Sequence, residues 1–361
     1  MSTIPDSAGP RPEVRIDRSD VGRRVSVRVL ETARDAATGR PAYRDAIGVL
    51  TSWDEAALTV VRRDNSVAEI PVDRLVAGKV VPLFLARRAA LPAATPAELQ
   101  RTAARGWPAV EQEALGEWTL RASAGFTRRA NSVQALGDPG RPLPAALAAV
   151  RAWYAARGLP AWVEVTTPGS PPELAAELDR MGATIAPTLV RTAPLAALAR
   201  LDGATDRIRL SRTAGPDWLA LYRRVAATPD AARGADPALA RAAHQVLHGG
   251  PSVWFASAPA TDGTGTPVAI GRCVVDGAWA CFSAVEVRPE ARRQGLATAL
   301  MAVLAARAAE EGATGGHLQV EAENSAAIAL YDGLGFTTSH TYHYARLPET
   351  GAGPRTGGVS P

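Results

Sequence analysis

The chain has 361 residues, enough for two or three domains, and its 47% hydrophobic and 21% charged residues give an ordinary globular balance. A formal net charge of +4 is too mild and too interspersed to argue for nucleic-acid binding, and Lys79, the only lysine, is followed by Val80, which excludes a Gly-Lys-Ser/Thr phosphate loop. No run of about 18 apolar residues occurs, residues 1–10 lack the basic and apolar segments of a secretory signal, and two cysteines suit a reducing compartment, so a cytoplasmic protein without a membrane span is expected.

Residues 1–12 are polar and proline-containing and are expected to be disordered. From 13 to 86 the pattern predicts short strands at 24–30, 46–52, 57–63 and 67–71, a tight turn at Asp64-Asn65 and a short helical turn at 72–76. That size and strand rhythm resemble a small all-β SH3-like barrel. Residues 87–96, rich in Ala, Arg and Pro, read as a linker.

Segment 97–203 predicts a helix at 97–105, strands at 116–122 and 131–136, a helix at 143–157, a strand at 161–166, a helix at 172–181 and a strand at 188–191. Segment 205–347 predicts a strand at 208–211, helices at 217–225 and 237–247, and strands at 252–257, 268–275 and 279–287. A helix at 298–311, a strand at 317–321, a helix at 325–334 and a strand at 338–346 follow, before a Gly/Pro-rich tail, 348–361, expected to be disordered. Asp276-Gly277 is a two-residue hairpin signal. It pairs Cys273 with Ala280 and Cys281 with Arg272, on opposite faces, which argues against a disulfide.

An internal repeat runs through both segments. Ala145–Val150, Gly158, Val163-Glu164-Val165 and Leu178 through Thr184 parallel Thr298–Val303, Gly312, Gln319-Val320-Glu321 and Tyr331 through Thr337. Each copy reads helix, glycine stop, strand, helix, glycine stop, strand, as in a duplicated α/β unit. The first copy has Arg141-Pro142-Leu143-Pro144 ahead of its helix, where proline removes an N–H that a phosphate would use, and Leu178 where the second has Tyr331. The first copy is therefore expected to be structural.

The second copy opens its helix with Arg292-Arg293-Gln294-Gly295-Leu296-Ala297. A basic, glycine-containing turn between a strand and a helix is an anion site, because the first-turn N–H groups point outward and the helix dipole favours negative charge. Gly295 lets the backbone approach a phosphate.

This turn, with Val285-Glu286-Val287-Arg288-Pro289 before it and Asn324-x-x-Ala327-x-x-Leu330-Tyr331-x-x-x-Gly335-Phe336 about 30 residues later, resembles the GNAT superfamily of N-acetyltransferases. The resemblance covers residues 205–347. The whole chain resembles an actinobacterial type with an N-terminal barrel and a tandem, half-degenerate GNAT region. It implies an α/β (α+β) fold with a mixed central sheet flanked by helices, in tandem with a degenerate GNAT-like unit at 97–203. It further implies acetyl-CoA as co-substrate, no metal, and a primary amine of a small molecule, protein or peptide as acceptor.

Residue by residue, the resemblance places the coenzyme A pyrophosphate on the N–H groups from Arg293 through Gln294, Gly295, Leu296 and Ala297 to Thr298, neutralised by Arg292 and Arg293. It places the acetyl carbonyl along the backbone of Val285 to Val287, near a bulge, and Asn324 at the pantetheine arm. Tyr331 takes the position of the acid that protonates the departing thiolate. A core tyrosine and a helix N-cap are the structural alternatives for Tyr331 and Asn324. Glu286 is the one carboxylate on strand 279–287, and its side chain alternates with Val285 and Val287, so it is a candidate base on the opposite face. Glu321 and Glu323 read as solvated.

His244-x-x-x-His248 has Gln245 between its histidines and no evident third ligand, so a metal is not expected. His340, Tyr342, His343 and Tyr344 lie on the last strand, which lines the acceptor side in many relatives, and the loop 228–236 would border the same pocket. Cys281 reads as core, not as an acyl carrier. The competing reading is an acyl-CoA-binding regulator, with the barrel as an interaction module and little turnover.

Overall fold

Val25, Val27 and Val29 are buried at alternate positions, and this period of two gives the N-terminal unit its sheet. The computed structural model describes residues 14–34, 41–62, 66–81, 91–181, 187–201, 205–222, 237–262 and 264–348. The chain divides into two units, one of Met1–Arg88 with Ala309–Gly312 and a larger one of Ala89–Ala308 with Ala313–Pro361. Residues 1–12, the Asp64-Asn65 turn, the loop 228–236 and the tail beyond 348 lie outside the described residues.

The N-terminal unit runs β1 (Val14–Arg15), β2 (Arg24–Arg34), β3 (Pro41–Trp53), β4 (Ala57–Arg62), β5 (Val67–Pro71) and β6 (Leu75–Val80). These form a six-stranded sheet in the order β1-β6-β2-β3-β4-β5 around Leu50, Leu58, Val60 and Ile70. Among the described residues its first and last strands are not paired, so no hydrogen-bonded closure of a barrel is seen. Only residues 72–74 make the expected helical turn; from Leu75 the chain pairs with β2, ending at Val80 opposite Val25, so tertiary pairing overrides the local pattern.

The larger unit opens with α1 (Pro96–Gly106), whose Thr95 and Glu98 form a reciprocal capping box. There follow β7 (Glu111–Leu115), β8 (Trp118–Ala122), β9 (Val133–Gln134), α2 (Leu143–Ala155), β10 (Trp162–Thr167), α3 (Pro172–Met181), β11 (Thr188–Pro194) and α4 (Leu195–Leu198). Then come β12 (Arg209–Ser211), α5 (Pro216–Leu221), α6 (Pro237–His248), β13 (Ser252–Pro259), β14 (Pro267–Asp276) and β15 (Trp279–Val287). The chain ends with α7 (Leu296–Glu310), β16 (Gly315–Glu321), α8 (Ser325–Gly333) and β17 (Thr337–Arg346). No helix among the described residues is long and apolar enough to cross a membrane.

The two copies of the repeat build one eleven-stranded mixed sheet, ordered β12-β13-β14-β15-β16-β11-β17-β10-β9-β8-β7. β15 pairs parallel with β16, and β9 pairs parallel with β10. The last strand of each copy lies beside the other copy's parallel pair: β11 is antiparallel to β16, β17 is antiparallel to β10, and the two pair with each other. Neither half completes its sheet alone.

The faces of this sheet bury different groups. Phe282, Leu318, Leu300, Leu304 and Tyr331 form one cluster under α7 and α8. Cys281, Val274, Phe255, Trp218 and Val246 form another on the opposite face, with α5 and α6. Each fully buried leucine contributes roughly 1.5–3 kcal/mol.

The hairpin register differs from the expected one. Asp276 pairs with Trp279, Cys273 with Phe282 and Val274 with Cys281, because Gly277, at φ +58°, takes the first loop position. The pairing moves by an even number of residues, so the cysteines keep opposite faces, each free and buried. β7 and α4 were not expected from the sequence: β7 carries exposed Glu111 and Glu113 with no clear alternation, and α4 is a single turn.

Buried polar groups tie the halves together. Arg121 pairs with Glu164 at 2.8 Å, and Gln134 donates to Glu164 at 3.1 Å and to the Gln100 carbonyl at 3.2 Å. Gln319 donates to the Gln100 side-chain oxygen at 3.0 Å, and the Tyr342 hydroxyl donates to Gln319 at 3.1 Å. Arg272, fully buried on β14, donates to the carbonyls of Leu247 at 2.7 Å, Gly106 at 2.8 Å and Gly249 at 2.7 Å. Its charge therefore sits where α1 and α6 end, against the negative poles of both dipoles.

Candidate functional site

The parallel pairing of β15 with β16 runs from Trp279 opposite Gly315 to Phe282 opposite Leu318 and stops there, although β15 continues to Val287 and β16 to Glu321. A bulge on the other edge of β15 accompanies the break. Ile270 pairs with Glu286 and Arg272 with Ser283, so two residues, Ala284 and Val285, stand against Gly271, and Ala284 has φ +51°. The Arg288 N–H donates to Val268 of β14 at 2.8 Å, so the N–H of Val287, one residue earlier, turns toward the opening.

The basic turn lies beyond the end of β15. Arg292, Arg293, Gln294 and Gly295 are exposed, Leu296 is buried in the α7 cluster, and Ala297 and Thr298 are half-buried. Arg293 has φ +62° and Gly295 φ +73°. A left-handed arginine costs roughly 1–2 kcal/mol, a strain of the kind kept at ligand-binding turns. A Cβ built on Gly295 would meet nothing within 4 Å, so the space over this backbone is open. Ala299 donates its N–H to Gly295 at 2.9 Å as α7 begins, which leaves the N–H groups before it without helical acceptors. Arg292 Nε reaches the Val287 carbonyl at 3.4 Å and Gln294 Nε2 the Glu290 carbonyl at 3.5 Å, both at the weak limit of a hydrogen bond. A cleft of about 410 Å³ opens beside the turn, lined by Arg207, Val268, Arg288, Glu290 and Gln294 among others.

Tyr331 lies on α8 in the same cluster as Leu296, Phe282 and Leu318, with its ring 5.8 Å from that of Phe336. Burial pushes its phenol up to about 12. Asn324 caps α8: its Oδ1 accepts from the Ala327 N–H at 3.1 Å, so the N-cap alternative describes what this side chain does here.

Val285 and Val287 pack against the cluster under α7, whereas Ile270, the partner of Glu286, belongs to the cluster on the other face. The alternation expected for Glu286 is thus present, and its side chain is half-buried. Glu321 and Glu323 are exposed.

The remaining candidates serve other ends. The His248 and His244 rings stack at 4.0 Å. His248 Nε2 accepts from the Ala214 N–H at 3.0 Å, which makes Nδ1, 2.9 Å from the His244 carbonyl, the protonated nitrogen. Burial lowers its pKa and keeps it neutral. No group of three His, Cys, Asp or Glu residues spaced to hold a metal occurs among the described residues. His340 and Tyr342 are buried on β17, and burial lowers His340 to about 4. His317, on β16, was not singled out from the sequence; it is fully buried beside Trp279 and held near 3 by burial.

The sequence model of the family described as "Probable histone acetyltransferase Rv0428c C-terminal" matches residues 94–345, and that of a domain of unknown function, DUF6725, matches residues 16–81. The chain is 29% identical over 340 residues to the Probable histone acetyltransferase Rv0428c of Mycobacterium tuberculosis, covering 92% of this chain and 97% of the relative. It is 27% identical over 252 residues to the Uncharacterized N-acetyltransferase YobR of Bacillus subtilis, covering 68% and 96%. A solved GCN5-related N-acetyltransferase from Kribbella flavida is 19% identical, with 70% of this chain and 96% of that chain covered and a TM-score of 0.47. Through the match over residues 94–345, the chain belongs to the Rv0428c C-terminal family and is an N-acetyltransferase of the GNAT type.

Proposed function

We propose that the chain transfers the acetyl group of acetyl-CoA directly to a primary amine in a ternary complex. The observation that carries this reading is the break in pairing after Phe282 and Leu318, next to a turn whose positive-φ residues bare its N–H groups. The N–H groups of Arg293 to Thr298 hold the pyrophosphate, with Arg292 and Arg293 supplying opposite charge. Open space over Gly295 fits a phosphate oxygen at van der Waals distance.

Acetyl-CoA supplies an activated thioester. The backbone N–H groups of Val285 and Val287 stabilise negative charge developing on the acyl oxygen. Tyr331 donates its proton to the departing thiolate, and a phenol held near 12 still carries that proton at neutral pH. Glu286, on the other face, takes the proton of the amine, directly or through one water. The Asn324 oxygen serves the helix cap, and its amide nitrogen is the group turned to the pantetheine arm.

By this assignment residues 205–347 are catalytic, 97–203 are a structural GNAT-like unit, 87–96 are a linker and 13–86 are an SH3-like module. The first copy has Pro142 at the N-cap of α2 and buried Leu178 where the second has Tyr331, so it lacks both anion turn and acid. The two buried free cysteines suit a reducing cytoplasm. The acceptor is a primary amine of a small molecule or of a protein, as the relative named a histone acetyltransferase suggests.

The test is thiol release from acetyl-CoA with a panel of primary amines and lysine peptides, with the products weighed by mass spectrometry. Amine-dependent release with a matching N-acetyl product supports the reading. Coenzyme A binding without release for any amine overturns it.

A further inference from the structure

The structural half of the repeat contributes one cation to the working half. Loop 123–131 is held in place from within: Asn131 Oδ1 accepts from the N–H groups of Ser123 at 2.8 Å and Gly125 at 3.0 Å, and its amide nitrogen donates to the carbonyls of Phe126 and Thr127, both at 2.8 Å. Trp107 Nε1 donates to the Thr127 hydroxyl at 3.0 Å, and Ala124 and Thr127 both have positive φ. A loop fixed this firmly aims its side chains with little freedom. Arg128 lies over the Trp162 ring at 4.7 Å, and Arg129 reaches inward, 5.4 Å from the Trp107 ring.

The groups close enough to act on the charge of Arg129 are Tyr342, Tyr344, Cys281 and Tyr222. These are three phenols and a thiol, with no carboxylate among them, and burial pushes the Cys281 thiol up. Among the described residues Arg129 makes no ion pair, and its buried Nε has no hydrogen-bond partner. The contrast with its neighbours is sharp. Arg121 has Glu164, and Arg272 has helix-end carbonyls. A guanidinium is always charged, and half-buried Arg129 has, among the described residues, only the face of Trp107 to offset its charge.

Its position relates it to the reaction. Cys281 shares a face of β15 with Ser283 and, past the bulge, with Glu286. Phe126, Ala130 and Trp107, which flank Arg129 in its loop or lie under its guanidinium, belong to the same cluster as Cys281 and Ile270, the partner of Glu286, and Cys281 and Glu286 are five residues apart, on the order of 15 Å along an extended strand.

We propose that Arg129, delivered by the structural half onto the Glu286 face of the catalytic half, binds a carboxylate of the acyl acceptor. The preferred acceptors are thus amines that also carry an anionic group, and the tandem arrangement supplies a specificity residue that the catalytic half lacks. The inference rests on the acetyl-transfer reading above.

The experiment uses ω-amino acids of increasing length, each beside its uncharged carboxamide, and a basic lysine peptide, with the full-length protein and its Arg129→Met and Arg129→Lys variants. The wild type is expected to prefer at least one carboxylate over its amide by 10-fold or more in kcat/KM. In Arg129→Met that ratio falls to near 1 through KM, with kcat nearly kept, and Arg129→Lys restores part of it. Acetylation of carboxamides and basic peptide as readily as of carboxylates by the wild type, or an unchanged ratio in Arg129→Met, overturns the inference and leaves acetyl transfer standing. If no acceptor is acetylated, the functional reading fails as well. Calorimetric binding of the same carboxylates to the protein saturated with coenzyme A then decides the site alone: tighter binding than of the amides, lost in Arg129→Met, supports it, and equal binding overturns it.

Discussion

Phe282 stands opposite Leu318 as the last parallel pair between β15 and β16. Both side chains belong to the cluster that buries Tyr331 and Leu296, so the break in the sheet, Tyr331 and the start of α7 share one apolar wall. Beyond that pair the bulge at Ala284 and Val285 carries β15 on to the turn that ends at Gly295. In the first copy β9 has only Val133 and Gln134, and Pro142 precedes its helix, so no comparable opening and turn are built there.

Gly295 separates a steric from an electrostatic role of the turn. Gly295→Ala meets no atoms and strains only a left-handed backbone, roughly 1–2 kcal/mol. Gly295→Asp adds a carboxylate where the pyrophosphate is proposed to lie. Calorimetric titration should show coenzyme A affinity falling about 100-fold or more, about 2.7 kcal/mol, with the fold kept by circular dichroism. Wild-type affinity in Gly295→Asp would mean that the pyrophosphate lies elsewhere.

Glu286→Gln tests the proposed base. General-base catalysis contributes about 10²–10⁴-fold, so kcat should fall by about 10² at neutral pH. Part of the loss should return as pH rises, because more of the acceptor amine is then already neutral. A kcat equal to that of the wild type across the profile would remove Glu286 from this role.

Arg272 is a stability prediction. Arg272→Met should leave the carbonyls of Gly106, Leu247 and Gly249 unpaired in the interior. Each buried carbonyl left without a donor costs about 1–3 kcal/mol, so the three together lower Tm by on the order of 10 °C for a unit of this size. Thermal unfolding by circular dichroism measures it, and a shift of only a degree or two would mean that water replaces the guanidinium at little cost.

Much of this was legible in the sequence because local rules governed it. The repeat, the helices at α2, α3, α7 and α8, and the motif from Arg292 to Phe336 all rest on periodicity, glycine stops and spacing. The exchange of β11 and β17 was not legible, since partner choice among similar strands is decided by the packing of the whole sheet. The hairpin register was missed by one position of the loop, because Asp276-Gly277 and Gly277-Ala278 both supply a glycine. Asn324 reads equally as cap or contact from sequence, and its bond to Ala327 came only with the structure. Arg129 gave no signal, since its surroundings come from strands up to about 200 residues away in the chain.

The central claim is that Tyr331 protonates the coenzyme A thiolate, and steady-state kinetics of Tyr331→Phe with acetyl-CoA and an accepted amine test it most directly. The phenyl ring keeps the packing against Phe336 and removes only the hydroxyl. The account predicts a kcat lower by about 10²-fold or more, with the Kd for acetyl-CoA within about 2-fold of the wild type, less than 0.5 kcal/mol. A kcat unchanged from the wild type would contradict it.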